Sequence, residues 1–572
     1  MTRISIAVLA ALAAFASSAT AVQAGQQQDW DHGSTRTPIR HVVVLFQENV
    51  SFDHYFGTYP HAQNNQGEVP FYALPLTPTV NGLGPELLNN NPNKNAAGTD
   101  QVNPGRLSPA QAYTCSQNHN YGPEQQAVDS GLMDVFPQFT GRTTSQGCAA
   151  DGTTVLGYYD GNTVTALWTY AQNFSMSDNY FDATFGPSTP GAINLVSGQT
   201  YGGVLYFGGG STTSAYPATY TPGQTTVTDI GDFDPYLDDC GADAGGTKTG
   251  SATLQMTGKN IGDLLSASHV TWGWFQGGFR PTTAAVLNKD GSMVSPAVCA
   301  ASHAGHPGVP NPVAPLLTGP DIHGQVADYV AHHDPFMMYA STSNPHHLRP
   351  SSVRAIGSTD QANHNYDSSD FIAALNSGNL PAVSFLKAPA YENAHPGNSD
   401  PTSEQNWIVS MVNQIMQSPE WSSTAIIITY DDSDGWYDHV NGPIVSPSST
   451  SVDGLAGAGN CGKPLSGANP ARCGHGPRLP LLVISPWAQP NYVDHTLTNQ
   501  ASVINFIEYN WGLGTIDGAT PKPNGQASFD RTAGTLLNLF SFRTPPSYDR
   551  VLLNCDGSPV QGRHAQAPTT CP

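Results

Sequence analysis

Two apolar runs in this chain end on oxygen-rich residues. The stretch HVVVLFQENVSFDHYFG, starting at His41, leaves its apolar run at Phe46 and passes through Gln47 to Glu48 and Asn49, with Asp53 and His54 close behind. The stretch STAIIITYDDSDGWYDH repeats the grammar, with an apolar run to Thr429 and then Asp431 and Asp432. A single acid after a strand is an ordinary helix cap or turn former, and DDSDGWYDH alone resembles a loop calcium site without the full EF-hand pattern. Two such pairs at equivalent strand ends point further. Ligands of open α/β sheets sit at the carboxyl ends of the strands. Four hard oxygen donors gathered there repel one another unless a cation joins them. Glu48, Asn49, Asp431 and Asp432 therefore read as a site for one divalent metal ion. Oxygen ligands suit calcium, magnesium or manganese, and nearby histidines leave zinc open.

Histidines supply the next layer. His119 lies in CSQNHNYGPEQQ, His332 and His333 in AHHDPF, His346 and His347 in NPHHLRP, and His395 in YENAHPGN. One histidine alone is usually a surface or hydrogen-bonded core residue. Several in loops rich in Gly, Pro and Asn suit phosphate clamping and proton donation beside a cation. The candidate nucleophile is Ser188 in FGPSTPGAINLVSG, one residue before Thr189, the expected cap of a short helix with Pro190 at its first position. Free N–H groups and a positive dipole end there would suit an anionic substrate, and a nearby cation would activate the hydroxyl. On spacing alone, Ser188 merely assisting the cap is the plainer reading. The chain has no G-x-S-x-G elbow, no H-E-x-x-H and no phosphate-binding G-x-x-x-x-G-K-[ST] loop.

These residues need a frame. HVVVLF, a strand around Val270 to Phe275, TAIIIT and RLPLLVISPW read as apolar strands. GPEQQAVDSGLMDVF, TVTALWTYAQNF, NIGDLLSAS, SEQNWIVSMVNQIMQS and ASVINFIEYNWGL read as helices, and QVADYVAHHDPFMMYAST as a helix followed by a strand. SMSDNYFDATFG reads as a strand or extended piece. In SEQNWIVSMVNQIMQS, Ile408, Met411, Val412, Ile415 and Met416 share one face. Helices alternating with short apolar strands predict an α/β sheet covered on both faces. We read 38–545 as one catalytic domain with loop insertions at about 59–115 and 201–250, preceded by 25–37 and followed by a tail at 546–572.

Bulk properties narrow the setting. Of 572 residues, only 11% are charged, while glycines number 58 and prolines 46, which describes a loop-rich globular surface. The net charge is −22 and argues against sequence-independent nucleic-acid binding. Residues 1–24 read as a secretory signal: Arg3, the apolar ISIAVLAALAAFA, and a cleavage site after Ala24. The protein is therefore expected to be exported, to the periplasm or the medium, without a transmembrane segment. Eight cysteines, all beyond that site, suggest four disulfides, and pairing neighbours (115–148, 240–299, 461–473, 555–571) would staple insertions and tail.

QENVSFDHYFG, DNYFDATFGPSTPGAINLVSG, ITYDDSDGWYDH and LPLLVISPWAQPNYVDHT together resemble the bacterial phosphoesterase family, which joins secreted phospholipases C and acid phosphatases and is related in fold to alkaline phosphatase. The resemblance covers roughly 38 to 515. It implies an alkaline-phosphatase-like three-layer α/β sandwich around a mostly parallel sheet. It implies Glu48, Asn49, Ser188, Asp431 and Asp432 as ligands of one divalent metal, and Ser188 as a nucleophile that becomes phosphoserine. His119, His332, His333 and His395 would surround the phosphoryl group, with His347 as the fallback for the paired histidine. Val50 stands where the family usually has Arg or His, and Gly191 where phospholipase-like members carry Asn. The pair of extra C-terminal domains of the larger phospholipases C is not expected here. With the serine nucleophile, this favours the acid phosphatase branch, hydrolysing phosphomonoesters. The alternatives are a phospholipase C acting on phosphatidylcholine-type lipids, whose head group would be the substrate, and a non-enzymatic, calcium-stabilised exported binding protein. A sulfatase would need a C/S-x-P-x-R signature at the nucleophile.

Overall fold

The structure is a computed structural model that describes residues 34–571 except 146, 208–225, 237, 242–251, 309–323, 456–460, 462–467, 519–521, 523–525, 544–549 and 562–565. The expected signal at 1–24 lies outside the described residues, as does much of the insertion at 201–250.

Eight strands form the central sheet: β1 (His41–Gln47), β2 (Ser175–Ser177), β3 (Trp272–Gln276), β4 (Asn365–Asp367), β5 (Val383–Lys387), β6 (Thr424–Tyr430), β7 (Leu481–Ile484) and β8 (Tyr492–Asp494). Their spatial order is β4-β3-β5-β1-β6-β7-β2-β8. The first five run parallel; β7 is antiparallel to both neighbours, and β8 is parallel to β2. In register, Val42 faces Val383 on one side and Ala425 on the other. Every residue of β1, β5 and β6 is buried. That is why these strands read as unbroken apolar runs rather than alternating ones.

Besides two single turns at Pro85–Asn89 and Phe136–Phe139, the α-helices among the described residues are α1 (Phe52–Phe56), α2 (Tyr121–Val128), α3 (Thr165–Asn173), α4 (Ser188–Ser197), α5 (Ile261–Ala267), α6 (Ser368–Asn376), α7 (Pro401–Gln417) and α8 (Ala501–Trp511). In α7 the Asp400 carboxylate accepts the N–H groups of Thr402 and Ser403, and Pro401 fills the first position. Ile408, Val412, Ile415 and Met416 of α7 are buried, and Met411 is half-buried. Helix α3 packs on β2 and β7, α5 and α6 on β3, and α8 on α4. The result is the expected three-layer α/β architecture.

Two local expectations fail. In QVADYVAHHDPFMMYAST, residues Gln325–Ala327 pair as a strand with Ser302–Ala304, and single 3-10 turns follow at Ala331–His333 and Pro335–Met338. Asp334 is the cause. Its side chain accepts the N–H groups of Phe336 and Met337, and Pro335 has no N–H to continue a helix. Helix α4 begins at Ser188 rather than after Thr189, with Pro187 at the cap position. The neighbouring-cysteine pairing is present in full: Cys115–Cys148, Cys240–Cys299, Cys461–Cys473 and Cys555–Cys571. The second insertion contributes Tyr201–Phe207 to a four-stranded side sheet with Val227–Thr228, Asp234–Pro235 and Ala252–Met256. The tail lies along α7: Asn413 donates to the carbonyls of Leu553 and Pro568, and Ser410 Oγ accepts the Cys571 N–H.

Candidate active site

Parallel pairing sets the carboxyl ends of β5, β1 and β6 side by side, so Lys387, Glu48 and Asp431 become neighbours. Asn49 turns the chain after β1 with φ 60°, a left-handed conformation that Asn tolerates better than most residues. Its N–H donates to Asp431 Oδ1 at 3.0 Å, and its side-chain amide donates to Asp434 Oδ1 at 2.8 Å. Its Oδ1 is buried and has no hydrogen-bond partner among the described residues. Asp432 follows Asp431 and receives the Asp434 N–H at 2.6 Å. Glu48, Asn49, Asp431 and Asp432 are all at 0% exposure, so none of this charge is shielded by solvent.

Ser188 meets this cluster from the first position of α4. Its hydroxyl lies 3.1 Å from Asp432 Oδ2 and 3.3 Å from Glu48 Oε2, with one proton to serve two carboxylates. Close packing sets that approach. A Cβ at Gly191 would lie 1.9 Å from the carbonyl oxygen of Asp431, so glycine is what lets α4 sit on the turn after β6. The helix start is less open than expected: Asp232 Oδ1 accepts the Thr189 N–H at 3.1 Å.

The histidines divide into two states. Burial pulls the His119 pKa down, but Asp432 and Asp434 outweigh it and hold it well above the ordinary value; Nδ1 lies 3.1 Å from Asp434 Oδ1. His332 follows the same pattern, lowered by burial but raised on balance by its 3.2 Å pairing with Asp234 and by the charge of Asp232. Burial, His332 and Lys387 push His333 well below the ordinary value, and its Nδ1 lies 3.1 Å from Glu48 Oε1. Burial also lowers His395 against the opposing pull of Asp434. Its Nδ1 accepts the Gly397 N–H, which leaves Nε2 to carry the proton of the neutral ring, and the ring centroid is 6.3 Å from that of His119. His347 is elsewhere, buried between Asp238 and the Phe279 carbonyl beside the Cys240–Cys299 disulfide, with His346 on Asp239. The fallback residue is therefore not part of this cluster.

Sequence reasoning missed Lys387. Its ammonium is wholly buried, lies 3.0 Å from Asp431 Oδ2 and 3.2 Å from the Gln47 carbonyl, pairs with Glu48 Oε1, and sits 4.5 Å over the Phe46 ring. Burial opposes its charge, but Asp431 and Glu48 raise its pKa on balance. Burial would raise Asp431, yet Lys387 and the backbone donors hold it below the usual carboxylate range. For Glu48, burial and the Asp431 charge push the pKa well up against the pull of Lys387. The signal was present: AVSFLK is another apolar run ending in a charged residue. Asp232 and Asp234 were missed as well, because nothing local marks them, and Asp434 was not singled out although it stands in DDSDGWYDH.

A buried clasp fixes the two turns. Arg478 pairs with Asp53 at 3.0 Å and Asp438 at 3.1 Å, and Asp53 also holds His439 at 2.6 Å. Asp53 lies in α1, just beyond Asn49, and Asp438 and His439 lie just beyond Asp432. The clasp therefore ties together the segments that carry the acids.

The residues fit a hard divalent cation. The donors are oxygens, the Asn49 carbonyl is unsatisfied, and Asp432 is pushed well above the carboxylate range by burial and by the charges of Asp431 and Glu124, against the pull of His119. Such a surplus of buried negative charge is what a cation would relieve.

A family model described as the Phosphoesterase family matches residues 39–514. The chain is 23% identical over 531 residues to the non-hemolytic phospholipase C of Pseudomonas aeruginosa, covering 90% of this chain and 58% of that protein. It is 33% identical over 178 residues to the non-hemolytic phospholipase C of Burkholderia pseudomallei (30% of this chain, 24% of that one). It is 26% identical over 210 residues to phospholipase C A of Mycobacterium tuberculosis (36% and 37%). The chain thus spans less than two thirds of the length of each of these relatives.

Proposed function

This chain belongs to the phosphoesterase family, and from that premise we propose that it is a metal-dependent hydrolase of phosphoric esters, of the phospholipase C type and exported. The observation that carries the reading is Ser188 Oγ held between Glu48 and Asp432 at the first turn of α4. The choice of phospholipase C over the acid phosphatase expected from sequence is supported by the names of the relatives described above, all three of which are phospholipases C.

Glu48, Asn49, Ser188, Asp431 and Asp432 are the residues that would hold the ion. When bound, a divalent cation supplies charge neutralisation and a lowered hydroxyl pKa. The chain's own groups do the rest. Ser188 Oγ attacks phosphorus as its proton passes to the Asp432 carboxylate. The ester P–O bond breaks, and His119, held protonated by Asp434, gives its proton to the departing oxygen. His332, kept charged by Asp234, and the Nε2–H of His395 face the phosphoryl oxygens and offset the charge that builds on them. Water then attacks phosphorus and gives a proton to the now neutral His119, as the bond from phosphorus to Ser188 Oγ breaks and the serine takes back its proton from Asp432.

Ser188→Ala tests this. Turnover of a phosphodiester such as p-nitrophenyl phosphorylcholine should fall by about 10⁴-fold or more, with the fold unchanged by circular dichroism. An undiminished rate would remove Ser188 as nucleophile. Comparing the same substrate with p-nitrophenyl phosphate decides between phospholipase C and phosphomonoesterase specificity. A strong preference for the monoester would restore the acid phosphatase reading.

A further inference from the structure

Lys387 ends the strand that lies beside β1, and its ammonium is placed between two carboxylates that the metal reading counts as ligands. Each of those carboxylates is divided. Glu48 turns Oε1 to Lys387 and His333 and leaves Oε2 toward Ser188. Asp431 gives Oδ1 to the N–H groups of Asn49 and Asp432 and Oδ2 to Lys387. The ammonium is enclosed, with the Phe46 ring on one side and the Gln47 carbonyl as a third acceptor. Two hydrogen bonds, to Asp431 Oδ2 and the Gln47 carbonyl, and an ion pair with Glu48 Oε1 define the position of the ammonium.

We propose that Lys387 is a positioning residue that serves as a permanent internal cation. It neutralises the side of the Glu48–Asp431 pair that faces away from Ser188, and it fills the place where a second metal ion would otherwise bridge those two carboxylates. The site consequently takes one divalent ion, on the Ser188 side, and Glu48 is held with Oε2 toward the nucleophile. The inference rests on the metal-dependent reading above.

The test uses Mn²⁺ as the probe, with the intact chain and its Lys387→Ala variant, which removes the charge and opens the space that the ammonium fills. Bound metal is counted by equilibrium dialysis with elemental analysis, and the electron paramagnetic resonance spectrum reports whether ions are isolated or coupled. The wild type should bind one isolated Mn²⁺ per chain. Lys387→Ala should bind a second equivalent, with a spin-coupled spectrum, because Glu48 Oε1 and Asp431 Oδ2 are released. Lys387→Arg keeps the charge and should stay at one. Two ions in the wild type would overturn the inference while leaving the metal-dependent reading intact. So would a Lys387→Ala variant that binds one ion as the wild type does, or none. No Mn²⁺ on the wild type would remove the metal-dependent reading and this inference with it. Should Lys387→Ala not fold, Lys387→Ser, which also empties the place, is read in the same way.

Discussion

Two histidines make opposite uses of burial. His119 is charged because two carboxylates outweigh its desolvation. A proton donor of this kind is competent at low pH and is lost as pH rises through its raised pKa. His119→Asn should therefore lower turnover by about 100-fold or more, and the wild-type decline on the alkaline side should vanish from its pH–rate profile. Substrates with poor leaving groups should suffer most. His54 is the converse. Burial lowers its pKa to about 4 while it stacks on Trp436, with ring centroids 3.9 Å apart. Between about 4 and its ordinary 6.5, the unfolded chain binds a proton that the native ring refuses. This contribution is complete above about 6.5 and is lost as pH falls toward 4, a difference of about 3 kcal/mol. Glu124 and Glu404, each pushed up by burial to about 7, act with the opposite sign in the same window. Comparing urea unfolding of wild type and His54→Gln at pH 7 and pH 4.5 isolates the histidine: the variant should lose less stability on acidification.

At the scale of elements, the site depends on how α4 meets the turn after β6. Gly191→Ala inserts a methyl group against the Asp431 carbonyl, and the helix start must shift. We expect a loss of about 1–3 kcal/mol in denaturant unfolding and a larger fall in kcat than in substrate affinity, because Ser188 moves with the helix. This is also where the sequence was partly opaque. Strands β1 and β6 were legible as apolar runs with acids at their ends, and that pattern is a local property of the chain. The Ser188 helix was legible too, but its first residue was misplaced by two positions, because Pro187 rather than Thr189 takes the cap. The region around His332 misled most. VADYVAHH has helical periodicity, and the Asp334–Pro335 pair that breaks it acts through a side-chain hydrogen bond rather than through pattern. Lys387 was marked by the end of an apolar run, but its place between Glu48 and Asp431, like the roles of Asp232 and Asp234, depends on where distant segments cross, which no local window reveals.

Considered whole, the molecule is a sheet whose stapled segments lie outside it. The disulfides close separations of 33, 59, 12 and 16 residues, and none joins two strands of the central sheet. The chain-entropy argument ranks them by loop length. Replacing Cys240 and Cys299 by alanine should cost about 4 kcal/mol and replacing Cys461 and Cys473 about 3 kcal/mol, measured by guanidinium unfolding under non-reducing conditions. Eight cysteines leave many pairings open, of which neighbour pairing was one, while the three-layer class was readable from the alternation of elements. The strand order was not, since it depends on which strands meet across hundreds of residues.

That order has a consequence for how the protein is made. Strand β1 is inserted between β5 and β6, and Asn49 reaches across 382 residues to Asp431. On a ribosome, the first strand emerges with no neighbour to bond, and its first partner, β5, begins only at Val383 of 572 residues. The cluster around Ser188 therefore cannot assemble until Asp431 and Asp432 have been made, 432 residues into a chain of 572.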